Sequence, residues 1–258
     1  MTIIGLDSST EVCSAALVQD GAVIAERINI SGSNHAALLP LYVQELQAEA
    51  AARGLTIDGV ALSEGPGSYT GLRIAASLAK GLCYGLDVPL YAVSTLAVAV
   101  VNAVAQMSLS DIKATRASAL PTAMICPMID ARRMEVYCAV YGARWNSTAS
   151  LTEVQALEAK VIDETSFAEL LDDHVVYFCG NGAEKCKAVI KHRNARWIDG
   201  IVPTGAAAAK LVSSAEQHRE LNSAESLIRI VEGKEIAYFE PNYLKEFIAA
   251  PSHVKGLK

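Results

Sequence analysis

The chain has 258 residues, is 52% hydrophobic and carries a formal net charge of −6. That composition excludes an intrinsically disordered protein and argues against a dedicated nucleic-acid binder, which needs a basic face; local basic runs remain, such as Lys191-His192-Arg193 with Arg196. Six cysteines, at 13, 83, 126, 138, 179 and 186, form no CxxC pair and fall in apolar patterns, so they are expected to be reduced core residues of a cytoplasmic protein. The longest apolar stretch, around Leu96 to Val101, is too short to span a bilayer. The strand-like opening T-I-I-G-L-D predicts no signal peptide ahead of it.

In chain order, residues 2–8 read as a buried strand ending at Asp7, and Cys13–Gln19 as a second strand. Asp20-Gly21 is a hairpin turn signal, because a type I′ turn needs positive φ at both central residues. Ala22–Ile30 returns as a third strand. Ser33 or Asn34 then offers an N-cap to a helix over 35–53, with Leu39, Tyr42, Val43, Leu46 and Ala50 on one face and Gly54 as its stop. Gly59–Ser63 is a short strand running into S-E-G-P-G-S-Y-T-G, and a nearly uncharged helix follows over 70–86. Val88–Val93 is another strand, and Ser94 caps an Ala/Val-rich helix ending near Gln106. Strands and helices alternating in this way make an α/β protein.

Residues 107–120 are polar and mixed, a candidate domain junction. The pattern then restarts: Ala123–Ile129 is a strand ending in Asp130, and Met134–Tyr141 returns. D-S-S-T-E-V-C-S-A-A-L-V at 7–18 and D-A-R-R-M-E-V-Y-C-A-V-Y at 130–141 share an Asp at a strand end, a tight turn, Glu-Val and an alternating strand, the second being one residue longer in the turn. This suggests internal duplication. Two related halves with Asp-tipped hairpins resemble the actin, sugar-kinase and Hsp70 architecture, in which both hairpins point at nucleotide phosphates. V-V-Y-F-C-G-N-G-A-E-K at 175–185 reads as strand, Gly-rich turn and helix, and resembles the adenosine loop of that superfamily. The reading divides the chain into a first subdomain, 1–106 with 206–224, a smaller second one, 107–205, and a C-terminal tail, 225–258. Vestigial nucleotide contacts would then be Asp7, Asp130, Gly180 and Gly182.

The loop at 63–71 is not a P-loop, because Gly71 is followed by Leu72 and Arg73 and not by Lys-Ser/Thr. It is not a nucleophile elbow either, since Pro66 stands where GxSxG needs Gly before Ser68; Ser68 reads as a turn or cap residue. The histidines at 35, 174, 192, 218 and 253 form no HxxH or HxxxH pair, so no metal site is expected. The loop reads as a sharp strand-to-helix turn built by Gly65, Pro66, Gly67, Ser68, Thr70 and Gly71, with an anion at the first amides of the helix as a secondary reading. Around that helix Arg73, Ser77, Lys80 and Tyr84 share one flank; Ile74, Leu78 and Leu82 form a second side, and Leu72, Ala76, Ala79 and Cys83 a third. The apolar arc is wider than the roughly 100° of an ordinary surface helix, so one side packs on the sheet and the other needs a further cover. With Leu38 and Leu41 outside the main stripe of the preceding helix, the candidate partner interface is Leu38, Leu41, Leu72, Arg73, Ala76, Leu78, Ala79, Lys80 and Cys83.

These segments together resemble the bacterial TsaB (YeaZ) family. The matching pieces are I-I-G-L-D-S-S-T-E-V-C-S-A-A-L at 3–17, H-A-A-L-L-P at 35–40, S-E-G-P-G-S-Y-T-G-L-R-I at 63–74, V-P-L-Y-A-V-S-T-L at 88–96, I-D-A-R-R-M-E-V-Y at 129–137 and E-P-N-Y-L-K at 240–245. Met134 stands where the family usually has Gly, and Lys245 where Arg is usual; 142–205 matches only in pattern. The resemblance implies an actin-like (ASKHA, ribonuclease H-like) fold. It also implies a non-catalytic subunit for N6-threonylcarbamoylation of adenosine 37 in tRNAs that decode ANN codons. Such a subunit pairs with the TsaD transferase, recruits the TsaE ATPase, forms a homodimer when alone and meets tRNA through the complex, while threonylcarbamoyl-AMP comes from another enzyme, TsaC. It carries no intrinsic cofactor and at most weak nucleotide binding, ATP being used by the complex. The alternatives are an independent ASKHA-type ATPase or kinase using Asp7, Asp130, Gly180 and Gly182, and, more distantly, a glycoprotease-like hydrolase.

Overall fold

Two sheets with the same wiring carry the chain. The computed structural model describes residues 1–32, 34–107, 122–144, 151–218 and 227–245; Ser33 and nearly all of the polar junction lie outside them. The first lobe runs β1 (Thr2–Asp7), β2 (Cys13–Gln19), β3 (Ala22–Asn29), α1 (His35–Ala52), β4 (Gly59–Gly65), α2 (Tyr69–Leu86), β5 (Leu90–Ser94) and α3 (Thr95–Gln106). The second runs β6 (Thr122–Asp130), β7 (Glu135–Arg144), β8 (Leu151–Val161), α4 (Ala168–Asp173), β9 (Val176–Cys179), α5 (Ala183–Cys186), β10 (Ala195–Ile198) and α6 (Gly205–His218). After these come β11 (Ile228–Val231) and α7 (Glu235–Tyr238).

The strand orders are β11-β5-β4-β1-β2-β3 and β10-β9-β6-β7-β8. In each sheet the first three strands form an antiparallel meander, and the next two join the first strand in parallel. Parallel neighbours require crossover connections, and the helices supply them. The duplication read from two Asp-tipped hairpins therefore extends to the order and pairing of five strands in each lobe, with β11 added at the edge of the first sheet. This is the actin-like α/β fold with two related subdomains.

The third helix of each lobe lies between the sheets. α3 packs on β6 and β7, and α6 on β1, β2 and β4. A helix covered on both sides cannot be amphipathic, and eight residues of α3, from Thr95 to Val101 with Ala103, are buried. On the outer face of the first sheet α1 buries Leu39, Val43, Leu46 and Ala50, a single 3.6-residue stripe. In the second lobe the corresponding outer helices α4 and α5 are only six and four residues long. A long pair of outer helices therefore belongs to the first lobe.

The hairpin at Asp20-Gly21 has φ of 49° and 83°, as a type I′ turn requires. Asn34 occupies the cap position of α1 without a side-chain bond. Three expectations are corrected. The helix read into 175–185 is the four-residue α5. β8 was not foreseen: it is an edge strand exposed along most of its length, so burial imposes no alternation on it. The supposed tail is not a tail, because β11 pairs antiparallel with β5 at the edge of the first sheet. All six cysteines are free and buried, and burial pushes the Cys83 and Cys179 thiols up to about 12, which makes them poor nucleophiles. No helix among the described residues is long and apolar enough to cross a membrane.

Candidate functional site

The glycine-proline loop lies flat on the tip of the first hairpin. A Cβ on Gly67 would sit 2.3 Å from the Ser9 carbonyl oxygen, and one on Gly71 would sit 1.9 Å from that of Ser8. The Ser68 N–H donates to the Ser9 carbonyl at 2.6 Å, and the Ser8 hydroxyl donates to the Gly71 carbonyl at 2.7 Å. Gly65 has φ +121°, and a Cβ there would meet the Asn242 carbonyl oxygen at 2.1 Å; its peptide bond to Pro66 is cis. Ser68 is the N-cap of α2, its hydroxyl accepting from the Gly71 N–H at 3.3 Å, as a turn-and-cap residue should. Thr70 is exposed in the first turn of α2. With the Ser68 and Gly71 amides engaged, the anion reading of this helix start loses two of its donors.

The nucleotide contacts need correction. Asp7 is fully buried, and its carboxylate accepts from the N–H and hydroxyl of Ser9 at 3.1–3.2 Å. It holds the hairpin tip that receives α2 and faces no ligand space. Asp130 pairs with Lys185 and accepts from the Arg132 N–H at 2.9 Å. Gly180 and Gly182 are explained by close approach to β6, where added Cβ atoms would lie 2.3 Å from the Met128 oxygen and 2.9 Å from the Ile129 carbonyl carbon. With one hairpin tip covered by the chain's own loop and the other's carboxylate taken by a lysine, the residues present do not fit a metal-bound nucleoside triphosphate.

Burial pushes Asp7 up to about 6, against the opposing pull of the Ser63 hydroxyl and of the Ser9 N–H and hydroxyl. Its native value lies above the ordinary 3.8, so the folded state binds this proton more tightly than the unfolded chain. The ionised carboxylate thus costs stability above about pH 6, by roughly 3 kcal/mol, and the cost fades as the pH falls towards 4. Asp7→Asn should remove that dependence. Denaturant unfolding should show wild type gaining about 2 kcal/mol on the variant between about pH 7.5 and 4.5. A difference independent of pH would overturn this reading of Asp7.

Between the lobes lies a cleft of about 900 Å³ bordered by both hairpin turns and the starts of α1 and α2, with Tyr69, Tyr137 and Tyr243 on its walls and Arg132 at its second-lobe side. His35 stands at the start of α1, its Nε2–H donating to the Thr10 carbonyl at 3.1 Å; it is a hairpin brace.

The structure separates the two apolar sides of α2. Leu72, Ala76, Ala79 and Cys83 are at most 4% exposed, and the last three pack in the core cluster of the first sheet. They are core residues, which corrects their placement at a partner interface. Ala76 and Ala79 are small where α2 packs on β4. Ile74, Leu78 and Leu82 are half-buried at the margin, beside half-buried Leu38 and exposed Leu41 on α1. Arg73 and Lys80 face the C-terminal segment. Residues 229–245 fold back as a strap: the Arg73 Nε–H donates to the Tyr243 hydroxyl at 3.2 Å and its guanidinium lies 4.4 Å from the Tyr69 ring centre. Lys80 donates to the Ala237 carbonyl at 3.0 Å. Arg229 pairs with Glu64 at 2.6 Å, the Asn242 N–H donates to the Glu64 carbonyl at 2.7 Å, and Lys245 pairs with Glu135 of the second lobe. The signal for the strap was the E-P-N-Y-L-K segment itself.

A family model described as TsaD, tRNA N6-adenosine threonylcarbamoyltransferase, matches residues 23–247. The chain belongs to that family. Its curated relatives include proteins named TsaB and a Thermus thermophilus protein named tRNA N6-adenosine threonylcarbamoyltransferase, 32% identical over 111 residues, 37% of this chain and 34% of its own length. The Bacillus subtilis protein named tRNA threonylcarbamoyladenosine biosynthesis protein TsaB is 33% identical over 141 residues, 55% of either chain. The Escherichia coli protein of the same name is 33% identical over 165 residues, 64% of this chain and 65% of its own length. The chain thus spans less than two thirds of these relatives. The solved YeaZ structure from Pseudomonas aeruginosa superposes with a TM-score of 0.69 at 24% identity, covering 94% of this chain and 99% of that one, and shows the same fold.

Proposed function

We propose that the chain is the non-catalytic scaffold subunit for N6-threonylcarbamoylation of adenosine 37 in tRNAs decoding ANN codons. It pairs with a TsaD-like transferase and recruits a TsaE-like ATPase in the cytoplasm, and it forms a homodimer when alone. The observation that carries the reading is the outer face of the α1–α2 pair. Leu38, Leu41, Ile74, Leu78 and Leu82 line a margin that no element among the described residues covers fully, while the first hairpin tip is covered by the chain's own loop and Asp130 of the second is paired with Lys185. The relatives' names supply the pathway. An uncovered apolar margin on a rigid helix pair suits docking of another chain. The covered first tip and the Asp130–Lys185 pair count against the ATPase reading, and Ser68 as a cap counts against the hydrolase.

Reconstitution tests it. With TsaC-, TsaD- and TsaE-like proteins, ATP, threonine, bicarbonate and tRNA, omission of this chain should reduce multi-turnover modification to background. Ser68→Ala should retain most of the activity. Full activity without the chain would sink the assignment.

A further inference from the structure

The turn Asp130-Ala131-Arg132-Arg133 has no part in the docking face, yet it is built at a cost. We propose that Arg132 and Arg133 are a phosphate-contacting pair for the backbone of an RNA, seated at the mouth of the interlobe cleft. The proposal rests on the tRNA reading above and names the surface that would meet that substrate.

The backbone carries the first argument. Arg132 and Arg133 have φ of 74° and 50°, a region where a Cβ is disfavoured and where Gly or Asn would be the cheap choice. The conformation is held on every side. The Arg132 N–H donates to Asp130 Oδ1 at 2.9 Å, the Glu135 N–H to the Arg132 carbonyl at 3.0 Å, and the Ala131 N–H to the Glu135 carbonyl at 3.1 Å. The Asp130 N–H donates to Asn181 Oδ1 at 3.0 Å. A turn required only for chain reversal gains nothing from two arginines.

The side chains carry the second. Both residues are exposed. Among the described residues neither guanidinium makes an ion pair or hydrogen bond. The carboxylates beside them are committed, Asp130 to Lys185 and Glu135 to Lys245. The base of the turn is therefore charge-balanced, and two cations are left over on a chain whose net charge is −6. A guanidinium matches phosphate oxygens in a bidentate fork. Arg132 borders the interlobe cleft on its second-lobe side.

The test uses the reconstituted complex carrying the double variant Arg132→Gln, Arg133→Gln, with unmodified tRNA binding measured over a salt series. Affinity should fall roughly three- to tenfold near physiological salt, and the slope of log K against log salt should become shallower by about 1–2. The KM for tRNA should rise while kcat and RNA-free binding to the TsaD-like partner stay at wild-type levels. The double Lys variant should restore the slope and only part of the affinity, and ATP should not compete. Unchanged affinity and slope, in a complex whose wild type modifies tRNA, would overturn the site and leave the functional reading standing. Loss of partner binding would overturn it by assigning the pair to an acidic protein surface. Arginine-dependent competition by ATP would do so by assigning it to a mononucleotide. A wild-type complex that neither binds nor modifies tRNA sinks both readings.

Discussion

Ala76→Glu should fail to fold, whereas Leu78→Glu, two residues along the same helix, should fold and lose the partner. Ala76 is 4% exposed among Ile4, Leu6 and Leu62 of the first-lobe core. A carboxylate there loses its hydration without gaining a cation, a cost of several kcal/mol against a total domain stability of about 5–15 kcal/mol. The larger side chain also has no room in a packed interior. Leu78 is half-buried at the α1–α2 margin, so replacing it forfeits only part of the apolar contact of a buried leucine, about 1 kcal/mol, and the charge stays in water. On docking that charge must be desolvated against an apolar partner surface, and binding should weaken by at least about 100-fold, or ~3 kcal/mol. Circular dichroism and co-purification with the TsaD-like protein read the two outcomes separately. If Leu78→Glu still binds at wild-type affinity, the docking face is not this one; if Ala76→Glu folds normally, the inward face has been misassigned.

The sequence could say that α2 has two apolar sides but not which faces inward. Leu72, Ala76, Ala79 and Cys83 are no more hydrophobic than Ile74, Leu78 and Leu82, and Leu72 is the same residue as Leu78 and Leu82; what separates the two sets is which side of the helix meets the sheet, a property of the packed state. The turns were legible because glycine, proline and aspartate at fixed offsets have few conformational alternatives. Asp20-Gly21 and the 63–71 loop are of this kind, and so is the hairpin shared by 7–18 and 130–141. The strap was hidden because its contacts are remote: Arg229 reaches Glu64 over 165 residues, and Arg73 reaches Tyr243 over 170. No local periodicity reports such a pairing. Asp7 was misread for a related reason. An aspartate at a strand end signals a site in this architecture, and only the folded chain shows that its own loop has closed over it. Arg132 and Arg133 were visible as a motif, but the backbone cost that makes them informative was not.

Gly71→Ala and Gly81→Ala make the same chemical change in the same helix and should act in opposite directions. In a helix interior alanine is favoured over glycine by about 1 kcal/mol, through the lower entropy of the unfolded chain. At Gly81 a Cβ meets nothing within 4 Å, so that gain should appear nearly whole. At Gly71 the Cβ would lie 1.9 Å from the Ser8 carbonyl oxygen and 3.1 Å from its carbon, and both are backbone atoms of a hairpin that cannot turn aside. Helix and hairpin must separate by an ångström or more. That displacement strains the Ser8-to-Gly71 and Ser68-to-Ser9 hydrogen bonds, each worth about 1 kcal/mol, and adds an overpacking cost of about 1–3 kcal/mol. The net loss should be about 2–4 kcal/mol, a fall in Tm of very roughly 5–12 °C for a chain of this size. Because the moved part is the start of α2, binding of the TsaD-like partner should weaken even below the melting transition, and Gly81→Ala should leave stability equal or higher. A Gly71→Ala protein as stable as wild type would mean that the loop does not lie flat on the hairpin tip, and the account of how this turn fills the fold's phosphate position would fall with it.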